Sequence, residues 1–352
     1  MSRRTAASQA NAGAPAGPSR GTPVRLVDVA RLAGVSTMTV SRAMRHPEQV
    51  ADSTLRAVQG AVAQLGYLPD SAASALATGR SRIVAAIVPT LMNSVYASTV
   101  HGLASILRGA GYELMLGDSS YDPSIEAALV RSFLGRRVDA LVLTGVEHDS
   151  QTRALLARHE VPVVEIWDLT TQPIDMLVGF SNVGAGVEAG RYFAAQGRRR
   201  WAFLGTSPQR EGRSGKRLRG LREAARAAGL AAPVPAFVDD GMSPAAGRDA
   251  VLRLLDSHPQ IDALFCANDA LATAALRAAA DRAVPVPTAL SVLGFGDFDI
   301  AAHTSPALTT VRIPGREIGE RAACALLARL EGTDPALRRV DVGFEIVGRE
   351  SA

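Results

Sequence analysis

The stretch LVDVARLAGVSTMTVSRAM, residues 26–44, determines how the N-terminal region folds. Apolar residues recur at helical spacing on both sides of Gly34, and a tight turn between two helices needs a flexible residue at such a place. Ser36 follows the turn, where a serine oxygen can cap a helix by accepting from backbone amides two or three residues on. The stretch therefore predicts one helix from Val27 to Ala33 and a second helix that begins after Ser36.

A third helix and a linker follow this pair. Helical periodicity continues from about Ser53 to the stop at Gly66, with apolar residues at Leu55, Val58, Val62 and Leu65. The three helices predict an all-α helix-turn-helix head at residues 24–68. The Ser/Ala run at 71–78 predicts a short hinge helix within a linker at 69–81, and so short a helix orders only when something packs against it.

Charge is concentrated near the N-terminus. Residues 1–82 carry ten arginines and four carboxylates, a balance of +6, whereas the rest of the chain carries 28 basic and 30 acidic residues, a balance of −2. This asymmetry indicates that the N-terminal region meets a polyanion. Residues 1–23 are small, polar and without periodicity, which predicts a disordered tail.

From residue 82 onward, apolar runs of strand length alternate with helical segments. The runs are RIVAAIVP, YELMLGD, DALVLTG, VPVVEIWD, DMLVGFS, RWAFLGT, DALFCAND and LSVLGFGD. Continuous apolar strands alternating with helices are typical of parallel sheets covered on both faces. About 250 residues exceed what one hydrophobic core usually serves. We therefore expect two doubly wound parallel-sheet lobes, with a cleft beyond the carboxyl ends of the strands.

Several classes of protein are disfavoured by the composition. No apolar run reaches the roughly 18 residues of a membrane span, and the N-terminus lacks the apolar core of a signal peptide. We expect a cytoplasmic protein without a membrane partner. Cys266 and Cys324 have no metal-ligand spacing, so they are interpreted as buried reduced thiols, and neither a metal nor a cofactor is predicted.

Two glycine-containing stretches imitate nucleotide sites. GFSNVGAGVEAGR, residues 179–191, follows a strand and opens a helix, but the next strand ends without the carboxylate that would bind a ribose. Packing of the helix on the sheet is the alternative interpretation. REGRSGKRLRG, residues 210–220, approaches a P-loop, yet Arg210 and Arg217 replace the glycine and the hydroxyl that the phosphate cradle requires.

Catalytic motifs are missing from the sequence. There is no GxSxG, no HExxH and no suitably spaced acidic pair, and His148-Asp149 indicates a polar loop rather than half of a triad. We therefore expect that the chain is not an enzyme. The competing hypothesis is a sugar-binding protein or an enzyme whose N-terminal helices serve assembly.

The segments DVARLAGVS, TVSRAM and GYLPDSAASAL resemble the DNA-binding head and hinge of the lac/gal (LacI) repressor family of bacterial transcription regulators. The resemblance implies that the second helix enters the major groove, where an arginine can bind guanine through two hydrogen bonds. It also implies phosphate contacts from that helix and a leucine wedge in the minor groove. Arg25 stands where many relatives have a capping threonine, which weakens the cap and adds a phosphate contact. The DNA-binding residues so implied are Arg25, Ser36, Thr37, Met38, Thr39, Ser41, Arg42, Arg45 and Leu76.

The segments VPVVE, MLVGFSN, LFCANDALA, PALTTVR and VDVGFEIVG resemble the effector domain of the same family, and most of all its gluconate-responsive branch. That domain is built like a periplasmic sugar-binding protein. The resemblance implies an effector and dimerisation core at 82–352. Its N-lobe is expected at about 82–180 and 308–331, and its C-lobe at about 181–307 and 332–352.

Arg217 matches the family's effector-binding arginine. Arg213 lies one helical turn earlier, so two guanidiniums can face one cleft and bind a carboxylate or phosphate. A solvated basic helix face is the alternative, and Lys216 and Arg219 are expected to face solvent. Gly296 replaces an aspartate that is usual in the family, with Asp297 and Asp299 as nearby substitutes. The full predicted effector set is Asn93, Tyr96, Glu147, Arg213, Arg217, Asn268, Asp269, Asp297 and Asp299.

These features together predict a homodimeric transcriptional repressor in the bacterial cytoplasm, associated with the nucleoid when bound to DNA. Two heads would read a pseudo-palindromic operator whose half-sites lie about one helical turn apart. A small sugar acid such as gluconate would release it. A regulator that needs its ligand in order to bind DNA, as a corepressor system does, remains the alternative.

Overall fold

The computed structural model describes residues 24–68, 79–91, 94–207, 212–239, 243–333 and 338–352. The chain divides into two units, one that ends at Gly79 and one from Arg80 to Ala352. The predicted tail at 1–23 and the predicted hinge helix at 71–78 lie outside the described residues. In the parts of the chain that the structure describes, no helix is long and apolar enough to cross a membrane.

The head contains the three predicted helices, each within about one residue of its expected start. They are α1 (Leu26–Ala33), α2 (Thr37–Arg45) and α3 (Asp52–Leu65), with a 3₁₀ turn at Pro47–Gln49. Gly34 ends α1 at φ +68°, a left-handed backbone conformation that glycine adopts without strain. Small and branched side chains are buried where the helices meet: Val29, Ala30, Val40, Ala43, Val58 and Ala61.

The second unit alternates strands and helices. Its strands are β1 (Ile83–Val88), β2 (Glu113–Asp118), β3 (Ala140–Thr144), β4 (Val163–Ile166), β5 (Met176–Gly179), β6 (Trp201–Thr206), β7 (Val234–Val238), β8 (Ala263–Cys266), β9 (Ser291–Gly296), β10 (Thr309–Arg312), β11 (Arg339–Asp341) and β12 (Glu345–Val347). Its helices are α4 (Ser94–Gly109), α5 (Pro123–Gly135), α6 (Ser150–His159), α7 (Asn182–Ala195), α8 (Gly212–Ala227), α9 (Pro244–Ser257), α10 (Asp269–Asp281) and α11 (Gly315–Leu330).

The strands form two sheets, which define two lobes. In the described residues the first-lobe sheet has the order β11-β5-β4-β3-β1-β2 and the second-lobe sheet the order β12-β10-β9-β8-β6-β7. Neighbouring strands run parallel, and β12 is antiparallel to β10. The predicted fold class, a helix-turn-helix head with a core of two parallel-sheet lobes, is confirmed.

Both faces of the first sheet are covered, which explains why its strands read as continuous apolar runs. Along β1, Val84 and Ala86 pack into one hydrophobic cluster, and Ala85 and Ile87 pack into another. Successive strand residues point to opposite faces, so a strand buried on both sides needs an apolar residue at every position.

The predicted lobe boundaries are wrong in two places. Residues 309–312, assigned to the N-lobe, pair with β9 in the second sheet, so the chain returns to the first lobe only with α11. Residues 339–341, assigned to the C-lobe, pair with β5 in the first sheet, before β12 joins the second. Both segments are short strands, and hydrophobic periodicity carries no information about which sheet such a strand joins.

Candidate functional site

Helix α2 begins at a serine cap, as predicted. Ser36 Oγ accepts a hydrogen bond from the backbone N–H of Thr39 at 3.1 Å and lies 2.9 Å from the Thr39 hydroxyl. A serine cap of this kind stabilises a helix by about 1 kcal/mol relative to alanine. Ser36 and Thr39 thus fix the first turn of the helix that is expected to enter the major groove.

One face of α2 is exposed and the opposite face is buried. Val40 and Ala43 pack into the head, whereas the side chains of Thr37, Met38 and Arg42 are exposed. Arg45 is also exposed and donates to the Ser41 hydroxyl. We call Thr37, Met38, Ser41, Arg42 and Arg45 the recognition face; Ser41 is half-buried and the other four are exposed. Its contacts with DNA remain a prediction.

Arg25 occupies the cap position of α1, and its own side chain makes no capping bond. The Asp28 carboxylate compensates by accepting from the Arg25 backbone N–H at 3.0 Å. The guanidinium of Arg25 is exposed, as the predicted phosphate contact requires. Leu76, the predicted minor-groove wedge, lies outside the described residues.

A cleft between the lobes brings together four of the predicted effector residues. We call it the effector cleft, and its lining is Tyr96, Tyr121, Trp167, Asn182, Arg213, Arg217, Ala267, Asn268, Phe295, Gly296 and Phe298. Tyr96, Arg213, Arg217 and Asn268 were predicted, and Asn93 lies outside the described residues. Residues that sequence reasoning missed are mainly aromatic or amide side chains at the carboxyl ends of strands: Tyr121, Trp167, Asn182, Phe295 and Phe298.

Arg213 and Arg217 are buried in the cleft wall, with 8% and 4% of their surface exposed. The Arg213 guanidinium lies 5.8 Å from the centre of the Tyr96 ring, and that of Arg217 lies 4.2 Å from the centre of the Phe295 ring. Arg217 Nη1 also donates to Asn182 Oδ1 at 2.6 Å. The alternative of a solvated basic helix face is therefore wrong for these two residues.

No carboxylate stands among the described residues that line the effector cleft. Two permanently charged guanidiniums face a space partly shielded from water, where charges interact more strongly than at an exposed surface. The cleft therefore favours a ligand with an anionic group, and the flat rings beside it suit the apolar face of a sugar chain.

Helices α7 and α8 approach each other closely because each has a glycine at the contact. A Cβ on Gly186 would lie 2.0 Å from the Arg217 carbonyl oxygen, and a Cβ on Gly220 would lie 2.0 Å from the Val183 carbonyl oxygen. The two backbones can approach this closely only because both positions lack side chains. Gly186 and Gly190, which imitate a dinucleotide turn, thus lie against helix α8, and a Cβ on Gly190 would also lie 3.1 Å from the ring of Trp201 in β6.

Asp269 does not line the effector cleft, contrary to the prediction. Its carboxylate is buried, with Oδ2 accepting from the Phe298 N–H and Oδ1 from the Thr310 hydroxyl, both at 2.6 Å. Burial raises the pKa of Asp269 to about 6, against the lowering effect of these hydrogen bonds. The carboxylate instead anchors the loop that carries Gly296 and Phe298 to the cleft.

Asp297 and Asp299 do not line the effector cleft either, contrary to the expectation. Gly296 and Asp297 have positive φ angles of +121° and +51°. Asp297 pairs with Arg312 at 2.6 Å and Arg349 at 2.7 Å. Both aspartates line a separate cavity whose other charged residues are Arg312, Arg316, Glu317 and Glu320.

Glu147 lines a second cavity that adjoins the effector cleft through Tyr121 and Arg213. This acidic cavity is defined by the carboxylates of Asp122, Glu126, Glu147 and Asp168. Lys216, expected to face solvent, instead lies 2.6 Å from Asp168 Oδ2 and 3.1 Å from Glu147 Oε1. That expectation is wrong for Lys216, whereas Arg219 is exposed, 3.8 Å from Glu223.

His148 is buried beside the acidic cavity between two carboxylates. Its Nδ1 lies 2.7 Å from Glu126 Oε1, and its Nε2 lies 3.4 Å from Glu165 Oε1. Burial alone would lower the pKa of His148, but the hydrogen bonds and charges of the two glutamates raise it to about 9. Asp149 caps α6 by accepting from Thr152 N at 2.6 Å, so this dipeptide holds a loop in place, as predicted.

Two family models match the chain. One, described as "Bacterial regulatory proteins, lacI family", matches residues 25–70, and the other, described as "Periplasmic binding protein-like domain", matches residues 191–352. The first match spans helices α1 to α3, and the second spans most of the second lobe. The models therefore coincide with the head and with part of the core.

Similarity to individual proteins extends over nearly the whole chain. The HTH-type transcriptional regulator GntR of Pseudomonas aeruginosa is 38% identical over 327 residues, 93% of this chain and 95% of that protein. The crystal structure of a transcriptional regulator of the LacI family from Silicibacter pomeroyi matches with a TM-score of 0.87 and 31% identity, over 94% of this chain and 99% of that one. Transcription regulator GntR from Chromobacterium violaceum matches with a TM-score of 0.73 and 38% identity, over 76% of this chain and 98% of that one.

Proposed function

The chain belongs to the lacI family of bacterial regulatory proteins, and from this premise we propose that it represses transcription until gluconate or a similar sugar acid releases it from operator DNA. Membership makes the chain a DNA-binding transcriptional repressor and not an enzyme. The nature of the effector, the direction of its effect and the residues that bind it are the proposal.

The observation that carries the proposal is the burial of two guanidiniums, those of Arg213 and Arg217, in the lining of one cleft. A guanidinium binds a carboxylate through two parallel charge-assisted hydrogen bonds, which neutral sugars cannot offer. The amides of Asn182 and Asn268 supply partners for hydroxyl groups. The similarity to regulators named GntR supports an effector of the gluconate type.

On the DNA side, we assign base reading to the recognition face of α2. Arg42 would bind guanine, and Arg25 and Arg45 would bind phosphates. A homodimer would place two such helices in successive major grooves of a pseudo-palindromic operator, in the bacterial cytoplasm. Because one protein binds both ligands, any change that the effector makes to operator affinity is matched by an equal change that the operator makes to effector affinity.

The decisive experiment is an operator titration with and without gluconate. Sites selected by the purified protein from random DNA supply the operator, and fluorescence anisotropy supplies the dissociation constant. We expect gluconate to weaken operator binding and glucose, which lacks the carboxylate, to leave it unchanged. Tighter binding with gluconate would indicate a corepressor, and absence of any sequence preference would refute DNA recognition by α2.

A further inference from the structure

Lys216 connects the two lobes of the core. It lies on α8, which follows β6 of the second lobe, and its Nζ lies 2.6 Å from Asp168 Oδ2 and 3.1 Å from Glu147 Oε1. Both carboxylates come from the first lobe, since Asp168 follows β4 and Glu147 follows β3. One ammonium group therefore holds two carboxylates across the cleft.

The contact with Asp168 is the strong one of the two. The side chain of Asp168 is 3% exposed and that of Lys216 is 19% exposed, so water screens their attraction poorly. Glu147 is 62% exposed, and ion pairs at such positions contribute little. The backbone of Asp168 is fixed as well, because Gly179 lies so close that an added Cβ would be 2.2 Å from the Asp168 carbonyl oxygen.

A chain of hydrogen bonds runs from this ion pair to the effector cleft. Asp168 Oδ1 accepts from Asn182 Nδ2 at 3.1 Å, and Asn182 Oδ1 accepts from Arg217 Nη1 at 2.6 Å. Asn182 Nδ2 also donates to the Trp167 carbonyl at 3.0 Å, which leaves the amide oxygen as the group that faces Arg217. Hydrogen bonds thus connect Lys216 to Arg217 through the side chains of Asp168 and Asn182.

We propose that Lys216 and Asp168 form an inter-lobe latch that orients Arg217 and sets the affinity for the effector. The latch rests on the proposed function, because its output is the binding of an acid at Arg217. Lys216 is a positioning residue: it acts by holding Tyr96 and Trp167 of the first lobe opposite Arg213 and Arg217 of the second. A site held in its binding geometry loses less free energy to ordering when the ligand arrives.

The test compares Lys216→Met with Arg219→Met, a matched control on the exposed side of the same helix. In the full-length protein, we expect Lys216→Met to raise the dissociation constant for gluconate about tenfold or more, and Arg219→Met to leave it within about twofold. Lys216→Arg keeps the cation and is expected to recover most of the affinity. Parent-like gluconate binding by Lys216→Met would overturn the latch.

A second variant separates the loss of the latch from a loss of stability. Lys216→Met alone leaves a buried carboxylate without its cation, which can destabilise the core. The double variant Lys216→Met/Asp168→Asn removes both charges and still lacks the latch. We expect it to unfold at a temperature close to that of the parent and to bind gluconate as weakly as Lys216→Met, and parent-like affinity would refute the proposal.

A ligand-independent measurement separates the latch from the proposed function. The distance between the lobes can be measured with two spin labels. One label is attached to Cys324, which is exposed on α11 of the first lobe, and the other to an Arg253→Cys variant in α9 of the second lobe. Cys266 is buried, so we expect it to stay unlabelled. Dilution with unlabelled protein keeps the distances within one chain. We expect Lys216→Met to broaden the distance distribution, and an unchanged one would refute the latch. If the parent binds neither gluconate nor another sugar acid, the proposed function fails, and the distance measurement still decides on the latch.

Discussion

Replacement of Arg217 by alanine should abolish the effector response at ordinary gluconate concentrations. A hydrogen bond to a charged group contributes about 1.5–3 kcal/mol, so a fork of two to the ligand carboxylate contributes about 3 kcal/mol or more. The substitution also removes the hydrogen bond that Arg217 donates to the amide oxygen of Asn182, a residue that is only 1% exposed. Since about 1.4 kcal/mol corresponds to a tenfold change in affinity, the dissociation constant for gluconate should rise by about 100-fold or more.

Isothermal titration calorimetry with gluconate measures this change, and circular dichroism checks that the variant is folded. Arg217→Lys should recover little affinity, because an ammonium group cannot form the planar fork. Arg219→Ala, on the exposed side of the same helix, serves as the control and should bind gluconate as the parent does. If Arg217→Ala kept its gluconate affinity within about threefold, the carboxylate would bind elsewhere and the argument from burial and charge would be wrong.

Four further predictions concern other parts of the chain. Arg42→Ala should weaken operator binding by about 1–3 kcal/mol and relax the base preference at one position of each half-site. Fluorescence anisotropy on single-base operator variants measures both effects. An equal loss of affinity for all sequences would indicate that Arg42 binds a phosphate instead. His148 has a pKa of about 9 in the folded protein, whereas the free side chain has a pKa of 6.5. The protonated imidazole therefore stabilises the folded state fully below about pH 6.5, and this contribution is lost as the pH rises through 9. Urea unfolding should show that the free energy of unfolding falls by about 3 kcal/mol over that pH range in the parent protein. The His148→Gln variant should not show this fall. Gly186→Ala should lower the unfolding temperature of the core, because its Cβ would lie 2.0 Å from the Arg217 carbonyl oxygen. Gly60→Ala on exposed α3, where no atom lies within 4 Å of the new Cβ, should stabilise the head by roughly 0.5–1 kcal/mol.

Local signals were sufficient to predict the head. Gly34 forms the turn after α1, Ser36 caps α2 and Gly66 ends α3. Because each of these effects depends only on residues nearby in sequence, the sequence predicts where the helices begin to within about one residue. The eight apolar runs of the core are likewise strands. The strands that were missed are β7, which contains Pro235, and the short strands β10 to β12. Strand β11 pairs with β5, far away in sequence, and no local pattern encodes such a partner.

The candidate site was predicted in part for the same reason. The i, i+4 spacing of Arg213 and Arg217 is a helical property, and it placed both guanidiniums correctly in one cleft. Lys216 lies between them in sequence, yet its acceptor Asp168 is 48 residues away and belongs to the other lobe. Asp269, Asp297 and Asp299 have the right chemistry for sugar hydroxyls. Asp269 is bound by Thr310, and Asp297 by Arg312 and Arg349, and only the tertiary fold brings these partners near.

The fate of these aspartates bears on why the cleft should select an acid. The carboxylates of Asp269 and Asp297 are engaged in hydrogen bonds and ion pairs and do not line the cleft. A carboxylate in the wall would neutralise one guanidinium and repel an anionic ligand through a medium that screens charge poorly. The permanently charged guanidiniums of Arg213 and Arg217 therefore stand in the lining of the cleft. A sugar acid can form charge-assisted hydrogen bonds to these guanidiniums that its neutral analogue lacks, so we expect the cleft to bind the acid more tightly than the neutral sugar.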